Sequence, residues 1–177
     1  MPIFVAQCTI EDLRDFVEEL EWVEGGSQDE PAWQPPSTEA IVRWWELDDG
    51  WGAFVVQGEE EIVPSNDLAA VFELCDDVDV MNAIAAAAAP EEVVYWARML
   101  GVFAAGDEPL ADVCDVLKGL MTSDRADFAG AAVRGLARAR WTALTEVLRQ
   151  TGERWPELAE DCERALASIR RSPVRGC

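Results

Sequence analysis

The segment CDDVDV brings Asp76, Asp77 and Asp79 close together, and carboxylates so spaced could ligate a hard cation such as calcium. A calcium loop distributes about six oxygen ligands over roughly twelve residues, with a glycine at the bend and a distal glutamate. None of that spacing is present, so the run reads as a helix junction with Asp79 as the cap. In GEEEIV, Glu59, Glu60 and Glu61 follow a predicted strand. Two of them could work as general acid and base, but no second pair or positioning glycine frames them. As solvated charge they would instead keep a sheet edge from aggregating.

The stretch VRWWELDDGWGAFVV, residues 42–56, gathers Trp44, Trp45 and Trp51 around Asp48 and Asp49. Asp-Gly between aromatic and β-branched runs is a strong hairpin signal, because the turn needs positive φ that Gly50 supplies. Asp48, Asp49 and Gly50 are therefore assigned to the turn. Alternation sets Trp44 on one face with Val42, and Trp45 on the other with Ile41, Arg43 and Leu47. The adjacent tryptophans must serve two different surfaces. Trp33 lies in the connector and is expected either to dock on the body or to stand out as an anchor.

Histidine is absent from the chain, which excludes Ser-His-Asp and Cys-His nucleophiles and imidazole-bound zinc. There is no Gly-rich phosphate loop, nucleotide fingerprint or Ser-x-x-Lys arrangement. Five cysteines at positions 8, 75, 114, 162 and 177 are far apart and never form a Cys-x-x-Cys pair, which argues against a disulfide framework or zinc knuckle. Cys75, Cys114 and Cys162 fall on apolar helical stripes, where a thiol behaves as a small hydrophobe. The expectation is a protein that is not an enzyme and takes no cofactor or metal.

Net charge is −21, from 35 acids and 14 bases. Residues 1–66 hold 16 acids and 2 bases, residues 67–123 hold 11 and 2, and residues 124–177 hold 8 and 10. Such a field repels nucleic-acid backbones and anionic membranes, and it attracts basic partners and speeds their association. Arg134, Arg138, Arg140, Arg149 and Arg154 could receive a phosphate or an acidic peptide. The commoner use of such arginines is to cap helix ends and pair with acids of their own chain. No run is long and apolar enough to span a bilayer, and the amino terminus lacks the pattern of a signal peptide, so a cytoplasmic protein is expected.

These residues must be positioned by an α+β, mostly α fold. PIFVAQ reads as a strand, and Thr9 with Asp12 three residues on starts a helix through Ile10, Leu13, Phe16, Val17 and Leu20. VEGGSQDEPAWQPPSTE reads as a loop from about 23 to 38. Residues 40–47 and 51–57 are predicted as the hairpin, with a further short strand around EEIVP. Helices are predicted over 66–75, 79–89, 90–104, 109–121, 125–139, 141–151 and 156–170, with Pro90, Pro109 and Pro156 suited to first turns. This divides the chain into a small α+β unit, residues 1–65, and an all-α region, residues 66–177.

Predicted helix starts recur about every 31–35 residues, and PLADVCDVLKGLMTSDRADFAGAAVRGLARARWTALTEVLRQ resembles a short HEAT-like helical repeat. That resemblance implies a scaffold or binding protein; an irregular helical bundle is the alternative architecture. In overall character the chain is similar to bacterial immunity proteins, which are small, acidic, often helical and without catalytic machinery. That likeness implies an inhibitor whose carboxylates, those of the anionic first helix (Glu11, Asp12, Asp15, Glu18, Glu19 and Glu21) and Asp48, Asp49, Glu59, Glu60, Glu61, Asp76, Asp77 and Asp79 among them, cover the basic groove of a toxin. Trp33, Trp44, Trp45 or Trp51 would supply a buried anchor. A nucleic-acid mimic and a helical adaptor of a larger assembly are the alternatives.

Overall fold

The computed structural model describes residues 1–27, 30–36, 38–47 and 50–174, and its architecture is α+β, mostly α. Two compact units divide between Asp76 and Asp77.

In the first unit, β1 (Ile3–Gln7) leads into α1 (Ile10–Glu19), and four further strands follow: β2 (Val23–Gly26), β3 (Pro31–Gln34), β4 (Ile41–Glu46) and β5 (Trp51–Gln57). The strands form one antiparallel sheet in the order β1-β5-β4-β3-β2. Two strands lie where a loop is expected from 23 to 38. Four-residue strands rich in Gly and Pro carry no alternation long enough to register, yet Ser27 and Glu30 exchange both backbone hydrogen bonds to close a hairpin. Pro31 then faces Gly26 in the following, non-hydrogen-bonded pair, where proline's missing N–H costs nothing.

The strand expected around EEIVP is instead the start of α2 (Ile62–Ala69). Its β-branched pair is offset by Pro64, which fits a first helical turn because the amide hydrogen it lacks would have no partner there. The helix expected over 66–75 thus begins earlier and belongs to the first unit. The backbone of Cys75 then bridges to Val5, covering the open side of β1.

Both ends of α1 are fixed locally. Thr9 Oγ1 accepts from the Asp12 backbone N–H at 3.2 Å, while the Asp12 carboxylate accepts from the Thr9 N–H at 2.8 Å, a closed capping box. At the other end the Trp22 N–H reaches the Val17 carbonyl and the Glu21 N–H reaches that of Glu18, a Schellman turn with Glu21 in the left-handed region at φ 56°. The accompanying apolar clasp is Phe16 against Trp22, ring centroids 5.5 Å apart. Glycine normally occupies this position, and a residue with Cβ costs roughly 1–2 kcal/mol there. Glu21→Gly is expected to raise the stability of the unit by about 1 kcal/mol, net of glycine's greater unfolded entropy, in a urea titration.

Leu13, Phe16 and Val17 of α1, with Leu68 of α2, pack on Ala6, Trp33, Val42, Trp44, Phe54 and Val56 of the sheet. Trp44 lies flat over Gly52, and its ring is 5.1 Å from that of Phe54. Its Nε1 is buried without a hydrogen-bond partner among the described residues.

The second unit consists of α3 (Asp77–Ala86), α4 (Pro90–Val102), α5 (Ala111–Thr122), α6 (Ala126–Gly135), α7 (Thr145–Arg154) and α8 (Ala159–Arg171). Several predicted helices are trimmed by a single 3-10 turn: Phe103–Ala105, Leu136–Arg138, Thr142–Leu144 and Pro156–Leu158. Helices α4 and α6 cross with Gly101 and Gly135 in contact, backbone on backbone. Trp141 is fully buried and donates from Nε1 to the Gly106 carbonyl at 2.9 Å. Val174 pairs with Arg140 and Thr142, tying the last described residue to the bundle. Among the described residues no helix is long and apolar enough to cross a membrane.

Candidate functional site

The described residues of the first unit singled out by sequence do not form one patch. Trp33 and Trp44 are each 2% exposed and belong to the core beneath α1, so neither reaches a partner without opening the unit. Trp45 and Trp51 point to the opposite face of the sheet, with Arg43, and remain partly exposed. Asp48 and Asp49 lie outside the described residues; the neighbouring Gly50 has φ +76°, and the Leu47 N–H donates to the Trp51 carbonyl at 2.8 Å, in keeping with a hairpin.

Glu59 and Glu60 are exposed and Glu61 is half-buried where β5 turns into α2. Glu60, at φ 64°, is the second glutamate held in the left-handed region. Asp76 and Asp77 are half-buried; Asp77 and Asp79 both sit in the first turn of α3, so Asp79 is inside the helix rather than its cap. Carboxylates there oppose the positive end of the helix dipole. Among the described residues no three His, Cys, Asp or Glu side chains come together in a way that could hold a metal ion.

The denser acidic surface is α1 itself. Glu11, Asp12, Asp15, Glu18 and Glu19 are all exposed on it, with Arg14 the single base. Hydrogen bonds from the Thr9 backbone and then the Thr9 hydroxyl hold the Asp12 carboxyl below the usual range. Because α1 covers one side of the sheet and Trp45 and Trp51 the other, the anionic helix and the accessible tryptophans face in different directions.

Several arginines of the second unit have local partners. Arg125 holds Asp127 at 2.6 Å, Arg140 holds Asp107, Arg154 holds Asp124, and Arg164 reaches both Glu160 and Asp161. All these acids belong to the same unit. Side-chain hydrogen bonding raises the Arg125 guanidinium and lowers the Asp127 carboxyl. Burial, then the neighbouring Arg134, pulls the Arg98 guanidinium down, partly offset by Asp161.

No match to the chain was found among protein-family models, curated proteins or solved structures. The site therefore stands on its own geometry.

Two of the buried thiols are held in their protonated form. Burial, with Asp12 nearby, pushes Cys8 up to about 12, and burial with Asp161 and Glu163 pushes Cys162 up to about 11. The thiolate is the reactive form, so both should resist iodoacetamide at pH 8 in the folded protein and react on unfolding, as peptide mapping would show. Each folded value lies above the ordinary 9.0, so the stabilisation is full below pH 9 and is lost as pH rises towards the folded value. Cys8→Ala should flatten the alkaline fall in denaturation midpoint; an unchanged slope would count against that origin.

Sequence reasoning missed one surface feature altogether. On the face of Trp45 and Arg43, a groove of about 190 Å³ runs over β2, β3 and β4. Its only sequence signal is Gly25-Gly26 beside Val23, which punctuates a loop as readily as a strand.

Proposed function

We propose that the chain is a non-enzymatic acidic protein-binding module whose first unit captures a basic partner, in the manner of an immunity or inhibitor protein that neutralises a toxin in the bacterial cytoplasm. The observation that carries this reading is the division of charge. Residues 1–76 contain 19 acids and 2 bases, whereas residues 77–177 contain 16 and 12. Arg125, Arg140, Arg154 and Arg164 pair with acids of their own unit, while the carboxylates of α1 face solvent with Arg14 the single base on that helix. An unpaired field of one sign stores repulsion that a partner of opposite sign releases, and it steers encounter over a Debye length of about 10 Å at 0.1 M salt. Two glutamates kept in a backbone conformation that favours glycine add to this charge at a cost in stability.

The test is capture from native lysate at increasing ionic strength. A basic partner should be retained at low salt, with its association rate falling at least tenfold between 50 mM and 500 mM salt. Reversing Glu11, Asp15, Glu18 and Glu19 to lysine together should remove the salt dependence while α1 persists by circular dichroism. Salt-insensitive capture, or a captured partner with no basic surface, would overturn the reading. Displacement of the partner by duplex DNA would redirect it to the nucleic-acid mimic.

A further inference from the structure

The free edge of the sheet shows how such a partner could be held. β2 ends the strand order, and all four of its residues are exposed. Counting alternation from the mutually bonded Ser27 and Glu30, the backbone N–H and C=O of Glu24 and Gly26 point away from β3, towards solvent. Proteins commonly blunt such an edge, because it is a template for another strand.

Beside this edge lies the groove described above. Ala32 lies in it, with Val23 and Ile41 contributing aliphatic surface and Arg43 a positive charge. Val23 is 66% and Ile41 37% exposed, so both offer aliphatic surface to an added side chain. Gly25 leaves the rim open: a Cβ built there meets nothing closer than the Ala32 carbonyl oxygen at 3.9 Å. A side chain from a strand added outside β2 could pass over Gly25 onto Ala32. The alternating residues of that strand would face the other side, which carries Glu24, with Glu21 nearby in the chain between α1 and β2. The two sides differ in chemistry: one is apolar and closed to cations by Arg43, the other anionic.

We infer that the β2 edge binds an extended segment of the basic partner as a sixth strand, with apolar residues over Gly25 and basic residues alternating towards Glu24 and Glu21. Main-chain hydrogen bonds would provide affinity and the alternation specificity. This inference rests on the proposed capture of a basic partner.

The probe is a capped pentapeptide alternating lysine and leucine, titrated into the full chain at low salt and followed by backbone amide NMR. The largest shifts should fall on Glu24 and Gly26. Methylating the peptide's backbone amides at alternate residues, which leaves its charge intact, should weaken binding at least tenfold in one of the two registers. Gly25→Val, which fills the rim without strain, should weaken it similarly with the melting temperature unchanged or raised. Shifts confined to the α1 carboxylate region, or equal affinity for methylated peptides and for Gly25→Val, would overturn the strand addition while leaving capture of a basic partner standing. Concentration-dependent shifts at Glu24 and Gly26 without peptide would assign the edge to a second copy of the chain and also overturn it. Loss of salt-labile capture from lysate tests the parent reading separately.

Discussion

Gly52→Ala is expected to destabilise the amino-terminal unit severely. A Cβ at this position would lie 1.3 Å from Cη2 of Trp44, and 1.8 Å from Cζ3. Because the contact is with the far rim of a rigid bicycle, no small rotation relieves it. The indole would have to leave a site where it is 2% exposed and packed on Phe54. The loss should approach that of deleting a buried tryptophan, about 3–5 kcal/mol. Chemical denaturation of the variant should show an early transition for this unit, with loss of near-ultraviolet aromatic signal. Trp44→Leu added to Gly52→Ala should recover part of the stability, since the smaller side chain vacates the contested volume and the unpartnered indole N–H is removed with it. A Gly52→Ala variant losing less than about 1 kcal/mol would show that the ring moves freely, contrary to this packing.

Gly135→Ala should be comparably damaging in the second unit. A Cβ there would come within 2.2 Å of the Arg98 carbonyl oxygen and 3.0 Å of the Gly101 Cα. Both obstacles are backbone, so α4 and α6 must separate for the methyl group to fit. Separation would loosen the packing around Leu100, Ala132 and Leu136, all fully buried. A cost of about 3 kcal/mol is expected, at the upper end for overpacking, because the neighbouring backbone cannot change rotamer. Gly119→Ala is the matched control. Nothing lies within 4 Å of the Cβ it would add, so on an exposed helical site the change should stabilise by about 1 kcal/mol. Thermal melts of the two variants should move in opposite directions; parallel shifts would mean the helix crossing is not close.

The helices were legible because their apolar spacing and prolines act within a few residues. Pro90 begins α4, and Thr9 with Asp12 caps α1, as local chemistry dictates. The β4–β5 hairpin was legible for the same reason, with its register set by a short turn. What alternation left open was which tryptophan enters the core. Trp44 does so because Gly52, diagonally across on β5, provides room for the ring, a cross-strand fact that neither strand shows alone. The β2–β3 hairpin was illegible because Gly25, Gly26 and Pro31 are loop residues by composition and become strand residues only in a hairpin whose second strand pairs with β4. For the candidate site, sequence located the charge but not its direction. Only the packed sheet separates the anionic α1 from Trp45 and Trp51 and withdraws Trp33 and Trp44 from any surface role.

The strand order also sets a sequence of events in time. Strands β2 to β5 form a meander whose neighbours meet across short connections, whereas β1 reaches β5 with Ile3 opposite Val55, about fifty residues away. Loop closure of that length costs entropy before any contact repays it. During synthesis the first strand must therefore wait, apolar and unpaired, until nearly the whole unit has emerged. The backbone bridge from Cys75 to Val5 comes later still. The strand β1 is thus made well before the partner that encloses it, and a chaperone that meets this unit on the ribosome would meet it at IFVAQ.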